Sequence, residues 1–184
     1  MTASSIPARP IYLNQLARAR RFLQRIEQRT APDQATMLVR LNDYQDALWS
    51  FFKDCWHVKD WIQNDQVLPE ALRDAVVRDV HASRVLLVCR SIANAAKHLT
   101  LTGRKGRKVK AARVETFIIN PNLEDGSVSW DYMVKLEDGT WVTAYEIGVE
   151  VMREWERILT HYGLPPLPPL YGKLVSAEVE SPVR

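Results

Sequence analysis

The chain has 184 residues, 46% hydrophobic and 26% charged, the make-up of one globular domain that can bury a core without disulfides or a structural metal. A net charge of +3 is too small to mark a polyanion-binding protein by itself, so the local distribution of charge has to carry any such argument. No apolar run approaches the roughly 20 residues of a membrane span, and the first residues lack an apolar leader, so the expectation is a cytoplasmic protein with no membrane contact.

In chain order, residues 1–10 hold Ser, Pro and Arg and read as a flexible arm. Leu13, Leu16, Ala17, Phe22, Leu23 and Ile26 then repeat at helical spacing and predict a helix over 11–28. The same stretch carries Arg18, Arg20, Arg21, Arg25 and Arg29, which reads either as a solvated basic face or as one wall of a phosphate-binding surface. Pro32 breaks the pattern, and Asp33 is placed to cap a second helix running to about residue 64. Here Met37, Leu41, Tyr44, Leu48, Phe51, Cys55, Val58 and Ile62 form an unbroken seam in steps of four and three. Trp49, Phe52 and Trp56 add a second apolar stripe. A helix apolar nearly all round is central, so residues 46–62 are expected at the heart of the domain, with Trp49, Phe52, Trp56 and Cys89 in one buried cluster.

Pro69 suits the first turn of a third helix over 69–81. A fourth follows near 82–101, burying Val85, Leu86, Val88, Cys89, Ile92, Ala93, Ala96 and Leu99, and Gly103 ends it. Cys55 and Cys89 have no Cys or His pair near them in sequence and read as buried free thiols, not as a metal site. After a basic loop the apolar period switches to two. Val114, Thr116 and Ile118 alternate with Glu115, Phe117 and Ile119, then Val128, Trp130, Tyr132, Val134 and Leu136 with polar neighbours. Asp138-Gly139 predicts a tight type I′ hairpin turn into a third strand at 141–144. Ile147, Val151, Trp155, Ile158 and Leu159 mark a last helix over 145–161.

The fold class that follows is α+β. A mainly helical bundle surrounds a long central helix, joined by a three-stranded antiparallel meander and a C-terminal helix. The expected organisation is one domain over 11–162, with its helical part at 11–102 and the sheet plus helix at 112–162. Residues 163–184 form a tail whose Leu-Pro-Pro-Leu-Pro-Pro-Leu reads as polyproline II, either a linker or a strap on the body, or a ligand for a proline-binding partner.

No dinucleotide fingerprint, P-loop, zincin motif or nucleophile elbow is present. Two helical clusters are candidates for chemistry. In the first, His57 has Asp54 three residues before it and Asp60 three after it, neighbours on a helix. A carboxylate beside an imidazole raises its pKa and fixes its tautomer, as acid–base catalysis requires. In the second, Arg90, Asn94 and His98 follow at steps of four with Lys97 between, one polar stripe on an apolar helix. Arg90 and Lys97 would hold phosphate, Asn94 would orient it and His98 would move a proton. If the second and fourth helices pack antiparallel, His57 and His98 are candidates to share a cleft. Two histidines and a cation suffice for RNA cleavage without a metal, so no metal or cofactor is expected. Both clusters also read blandly, as a helical histidine with local ion pairs and as the solvent edge of an amphipathic helix.

The Arg90-Ser91 and His98 pattern on a helical hairpin resembles the HEPN domains, many of which are RNases of toxin, CRISPR and abortive-infection systems. The resemblance covers about residues 35–101, and seven residues separate Arg90 from His98, more than the family's motif places there. It implies RNA as substrate and a homodimer across these helices. Just beyond, Arg104, Lys105, Arg107, Lys108, Lys110 and Arg113 form a glycine-flexed basic loop suited to follow a phosphate backbone. With no aromatic residue between the charges, such contact would be sequence-tolerant. Two functions remain open: an RNA-acting enzyme with Arg90, Asn94, His98, His57 and Asp60 in its site, and a non-catalytic module presenting the same surface to nucleic acid or a protein.

Overall fold

A computed structural model describes residues 10–98 and 112–167, with backbone only for 96–98. The helices are α1 (Tyr12–Glu27), α2 (Gln34–Gln63), α3 (Glu70–Ala82), α4 (Arg84–His98) and α5 (Ala144–His161). The strands are β1 (Thr30–Ala31), β2 (Ala112–Pro121), β3 (Val128–Leu136) and β4 (Trp141–Thr143). The architecture is α+β and mainly helical, as the sequence predicts. The described part of the expected 1–10 arm is residue 10 alone, and the tail is described only to Leu167.

Asp33 caps α2 as expected, its carboxylate accepting from Thr36 N–H at 2.7 Å. Every residue of the seam is buried except Leu41, which is half-buried against the core. α2 packs against the other four helices and against β1 and β3, the position that an all-round apolar helix requires. The tryptophans depart from expectation. Phe52 and Cys89 are fully buried, but Trp49 and Trp56 are only half-buried, at the margin of the core. The indoles that fill the interior are Trp130 of β3 and Trp155 of α5. A 30-residue helix in the middle of the fold still has a flank that its neighbours cover only in part, and Trp49 and Trp56 lie along it.

Pro69 precedes the first turn of α3 as its N-cap and is not within that turn. Ser83, in extended conformation, separates α3 from α4, and its carbonyl accepts from Leu87 N–H at 3.0 Å. The contacts of this helix pair step backwards along α2. Arg73 reaches Gln63 O at 2.8 Å, the His81 ring meets Trp56 at 5.5 Å, and Cys89 Sγ donates to Phe52 O at 3.4 Å. α3 and α4 therefore run antiparallel to α2 as one interrupted rod.

The meander β2–β3–β4 is as predicted, and the sheet gains a fourth strand. β1 pairs with the start of β3, Thr30 opposite Ser129, on the same edge that β4 pairs further along. Two departures have local causes. A bulge between Val114 and Thr116 shifts the alternation, so Val114 and Phe117 both face the core instead of opposite sides. The hairpin closes through a three-residue loop, with Gly139 N–H donating to Leu136 O at 3.0 Å and Gly139 itself at φ 87°. That is a turn followed by a glycine bulge, so Asp138-Gly139 is not the centre of a two-residue turn.

α5 opens on a reciprocal capping box between Thr143 and Glu146. It crosses α1 closely at Gly148, where a β-carbon would lie 2.9 Å from Leu23 Cδ1 and 3.1 Å from Phe51 Cε1. Gly148→Ala should be nearly neutral, because about 1 kcal/mol of helix propensity offsets the push on the mobile Leu23 tip. Gly148→Val should cost roughly 2–3 kcal/mol through overpacking. Paired urea titrations would separate the two, and equal stabilities would mean that α1 and α5 do not meet there.

Candidate functional site

Of the first predicted cluster, His57 and Asp60 fall on the partly covered flank of α2. His57 and Asp60 are one turn apart, and His57 Nδ1 lies 2.7 Å from Asp60 Oδ2. Their side chains are 39% and 45% exposed, so the pair is open to a ligand. Lys59 Nζ also pairs with Asp60. Partial burial pushes the Asp60 carboxyl up, but the hydrogen bonds and charges of Lys59 and His57 outweigh it, and the group titrates below the usual carboxylate range. Asp54, the other expected neighbour of His57, does not join them. Its carboxylate is buried and accepts two hydrogen bonds from the Arg18 guanidinium of α1, at 2.5 and 2.7 Å.

The second cluster is only partly brought alongside. Arg90 is exposed and sets its guanidinium 5.6 Å from the centre of the Trp56 ring. Asn94, one turn on, is half-buried. The side chains of Lys97 and His98, and all of Arg104, Lys105, Arg107, Lys108 and Lys110, lie outside the described residues. The backbone places His98 well away from His57. With Cys89 level with Phe52, nine residues of α4 lead one way to His98 and five of α2 lead the other way to His57. At 1.5 Å per residue the two positions are about 20 Å apart along the helices. Antiparallel packing thus separates the two histidines. The histidine that reaches the Trp56 ring is His81, at the end of α3.

Trp56 is the centre of this surface. Lys59 Nζ lies 5.0 Å from its ring centre, Arg90 5.6 Å and the His81 ring 5.5 Å, edge-on. Three elements thus bring two cations and an imidazole to one half-exposed indole, beside the His57–Asp60 pair. The arrangement offers an aromatic surface, cationic donors for an anion and a carboxylate-held imidazole for proton transfer. Sequence reading found Arg90 and Trp56 separately but missed His81, whose only signal was its place before the Ser83 break.

A second polar centre went unread. Asp131 of β3 is buried, accepting from Tyr44 O–H at 2.6 Å and from Tyr132 N–H at 2.7 Å, with Arg29 Nε 3.6 Å away. Burial pushes its carboxyl up against the pull of Tyr44, Tyr132 and Arg29. Arg29 also lies 3.9 Å over the Tyr145 ring. Arg18 and Arg29 of the basic row are therefore engaged in the fold and are not a phosphate-binding wall. Tyr44 also lines a polar groove of about 640 Å³ between α1 and α2, with Arg25, Gln28, Arg40 and Asp43.

Among the described residues no group of three or more His, Cys, Asp or Glu could hold a metal ion, and no helix is long and apolar enough to cross a membrane. Cys55 and Cys89 are free and buried, and burial pushes both thiols well up, which makes them poor nucleophiles at neutral pH. No protein family, no curated protein and no solved structure matches the chain.

Proposed function

We propose that this chain binds single-stranded RNA on the face around Trp56. The observation that supports this reading most directly is the gathering of Lys59, Arg90 and His81 at one half-exposed indole. An aromatic ring with cations at its rim takes a base against the ring and phosphates against the charges, with little sequence preference. The Arg104–Lys110 segment, outside the described residues, carries the densest positive charge in the sequence, which supports a phosphate-binding role for the chain. Anisotropy of a labelled oligonucleotide, titrated between about 50 and 200 mM salt, tests the reading. Trp56→Ala should weaken binding by roughly tenfold, the value of one stacked base. Lys59→Gln with Arg90→Gln should lower the salt slope by about two, and replacing Arg104, Lys105, Arg107 and Lys108 by Gln by three to four. Absence of binding by the wild type at low salt would discard the RNA reading and favour a protein partner.

A second reading, RNA cleavage, is supported by the 2.7 Å His57–Asp60 contact on the same face and by the resemblance of the α4 stripe to HEPN RNases. In it His57 takes the proton of a 2′-hydroxyl, whose oxygen attacks the neighbouring phosphorus. The leaving 5′-oxygen takes its proton from His81, the other imidazole of this face, and Arg90 steadies the phosphate. His57→Ala, His81→Ala and Arg90→Ala should then each abolish cleavage with unchanged circular dichroism, and EDTA should have no effect. Full activity in both histidine variants, or loss in chelator, would remove this reading while leaving binding intact.

A further inference from the structure

The surface centred on Trp56 has a second indole on its own side of α2. Trp49 stands seven residues before Trp56. Seven residues fall within about 20° of two full turns, so the two tryptophans share one face, about 10 Å apart along the axis. We propose that Trp49 is a second base-stacking position and that one RNA strand lies along α2 from Trp56 to Trp49, an inference that rests on the RNA-binding reading of Trp56.

Three observations carry it. First, the Trp49 ring is half-buried and held by its neighbours. Its centre is 5.9 Å from that of Tyr132, which meets the Phe117 ring at 5.0 Å, and the Tyr132 hydroxyl accepts from the Gln45 side chain. A ring already fixed in place loses little freedom when a base stacks on it. Second, charge gives the strand a direction. Lys53 stands exposed between the two tryptophans, one turn from each. Asp46, the acid nearest to Trp49 in sequence, lines the groove toward α1 instead. On the other side of Trp56 lie Asp60 and, bonded to Gln63, Asp74, while Trp61 is about 140° round the helix. Third, α4 follows the same course. With Cys89 level with Phe52, Asn94 comes level with residue 47, so the Arg90–Asn94 stripe runs from Trp56 toward Trp49. A stacked strand advances roughly 3.4 Å per base, so about four nucleotides span the two rings.

The test measures binding of a uridine hexanucleotide and a uridine dinucleotide to the full chain by nuclear magnetic resonance titration. Trp49→Leu keeps an apolar side chain but removes the flat ring. It should weaken hexanucleotide binding by about tenfold, the value of one stacked base. It should leave the dinucleotide, which reaches only one ring, unchanged, whereas Trp56→Leu should weaken both. Lys53→Gln, at an exposed position, should lower the salt slope of the hexanucleotide by about 0.7 and leave that of the dinucleotide as it is. Hexanucleotide binding that Trp49→Leu leaves unchanged overturns this inference and leaves the RNA reading intact. Should that variant fail to fold, an unchanged slope in Lys53→Gln does the same. Equal losses on both lengths also overturn it, since Trp49 would then only support Trp56. Absence of hexanucleotide binding by the wild type removes both readings.

Discussion

Trp155→Ala should destabilise the protein by about 3–5 kcal/mol, the usual cost of emptying a buried tryptophan site. Trp155 is fully buried, on the inward side of α5. Its indole N–H has no hydrogen-bond partner among the described residues, so its contribution is packing. Trp155→Phe, which keeps most of the apolar volume, should therefore cost far less, about 1 kcal/mol. Urea titration measures both, the midpoint falling while the slope stays constant. Against a typical total of 5–15 kcal/mol, the alanine variant should be near the limit of folding. Trp56→Ala should cost clearly less than Trp155→Ala, since that ring is only partly buried, at the margin of the core. A reversed order would mean that the core is centred on the wrong tryptophan.

Tyr44→Phe should cost about 2 kcal/mol, in the range for a hydrogen bond to a charged group, because Asp131 Oδ1 would be left with the Tyr132 N–H alone. The size of the loss should depend on pH. Burial raises the Asp131 carboxyl above its ordinary value of 3.8 in the folded protein. The native state then holds a proton on Asp131 at pH values where the unfolded chain has released it. Linkage makes this contribution favourable below the ordinary carboxylate range, and it is lost as pH rises to the native value. Above that value the buried charge is a constant penalty. Asp131→Asn keeps an acceptor for Tyr44 and carries no charge. Its stability relative to wild type should therefore improve as pH rises from the ordinary carboxylate value to the native one, then level off. Urea midpoints for both proteins at a series of pH values would show this, and a constant difference would mean that Asp131 titrates normally.

What could be read from the sequence follows from the range of each interaction. The seam of α2, the Asp33 cap and the α5 stripe are set by residues three or four apart and appear as expected, and the β3 alternation, set by residues two apart, is broken at Asp131, which is buried. β1 was invisible because two residues beside Pro32 look like a break; only their partner 98 or so positions away makes them a strand. The bulge at Val114–Thr116 likewise depends on the register of β3. Trp56 was misplaced because a wheel shows which residues share a face but not whether a neighbour covers it. Tyr44 and Asp131 are 87 residues apart, and nothing local links them. For the site, the His57–Asp60 pairing came from helical spacing alone. The loss of Asp54 to Arg18, and the arrival of His81 and Arg90 at Trp56, needed the packing of α1, α3 and α4.

Within the described residues no strand pairs with the outer side of β2, so that side carries unshared backbone donors and acceptors. A ten-residue ladder of this kind is a template for another chain. Its sequence is arranged to refuse one. The bulge breaks the straight run, Arg113 and Glu115 put an exposed ion pair beside it, and Pro121 withholds a donor at the far end. A mutant that regularised this border, by deleting Glu115 and replacing Pro121 with valine, would offer an uninterrupted rail. Its weakness would be solubility at high concentration, with folding stability little changed, and light scattering would detect it where a denaturant titration would not.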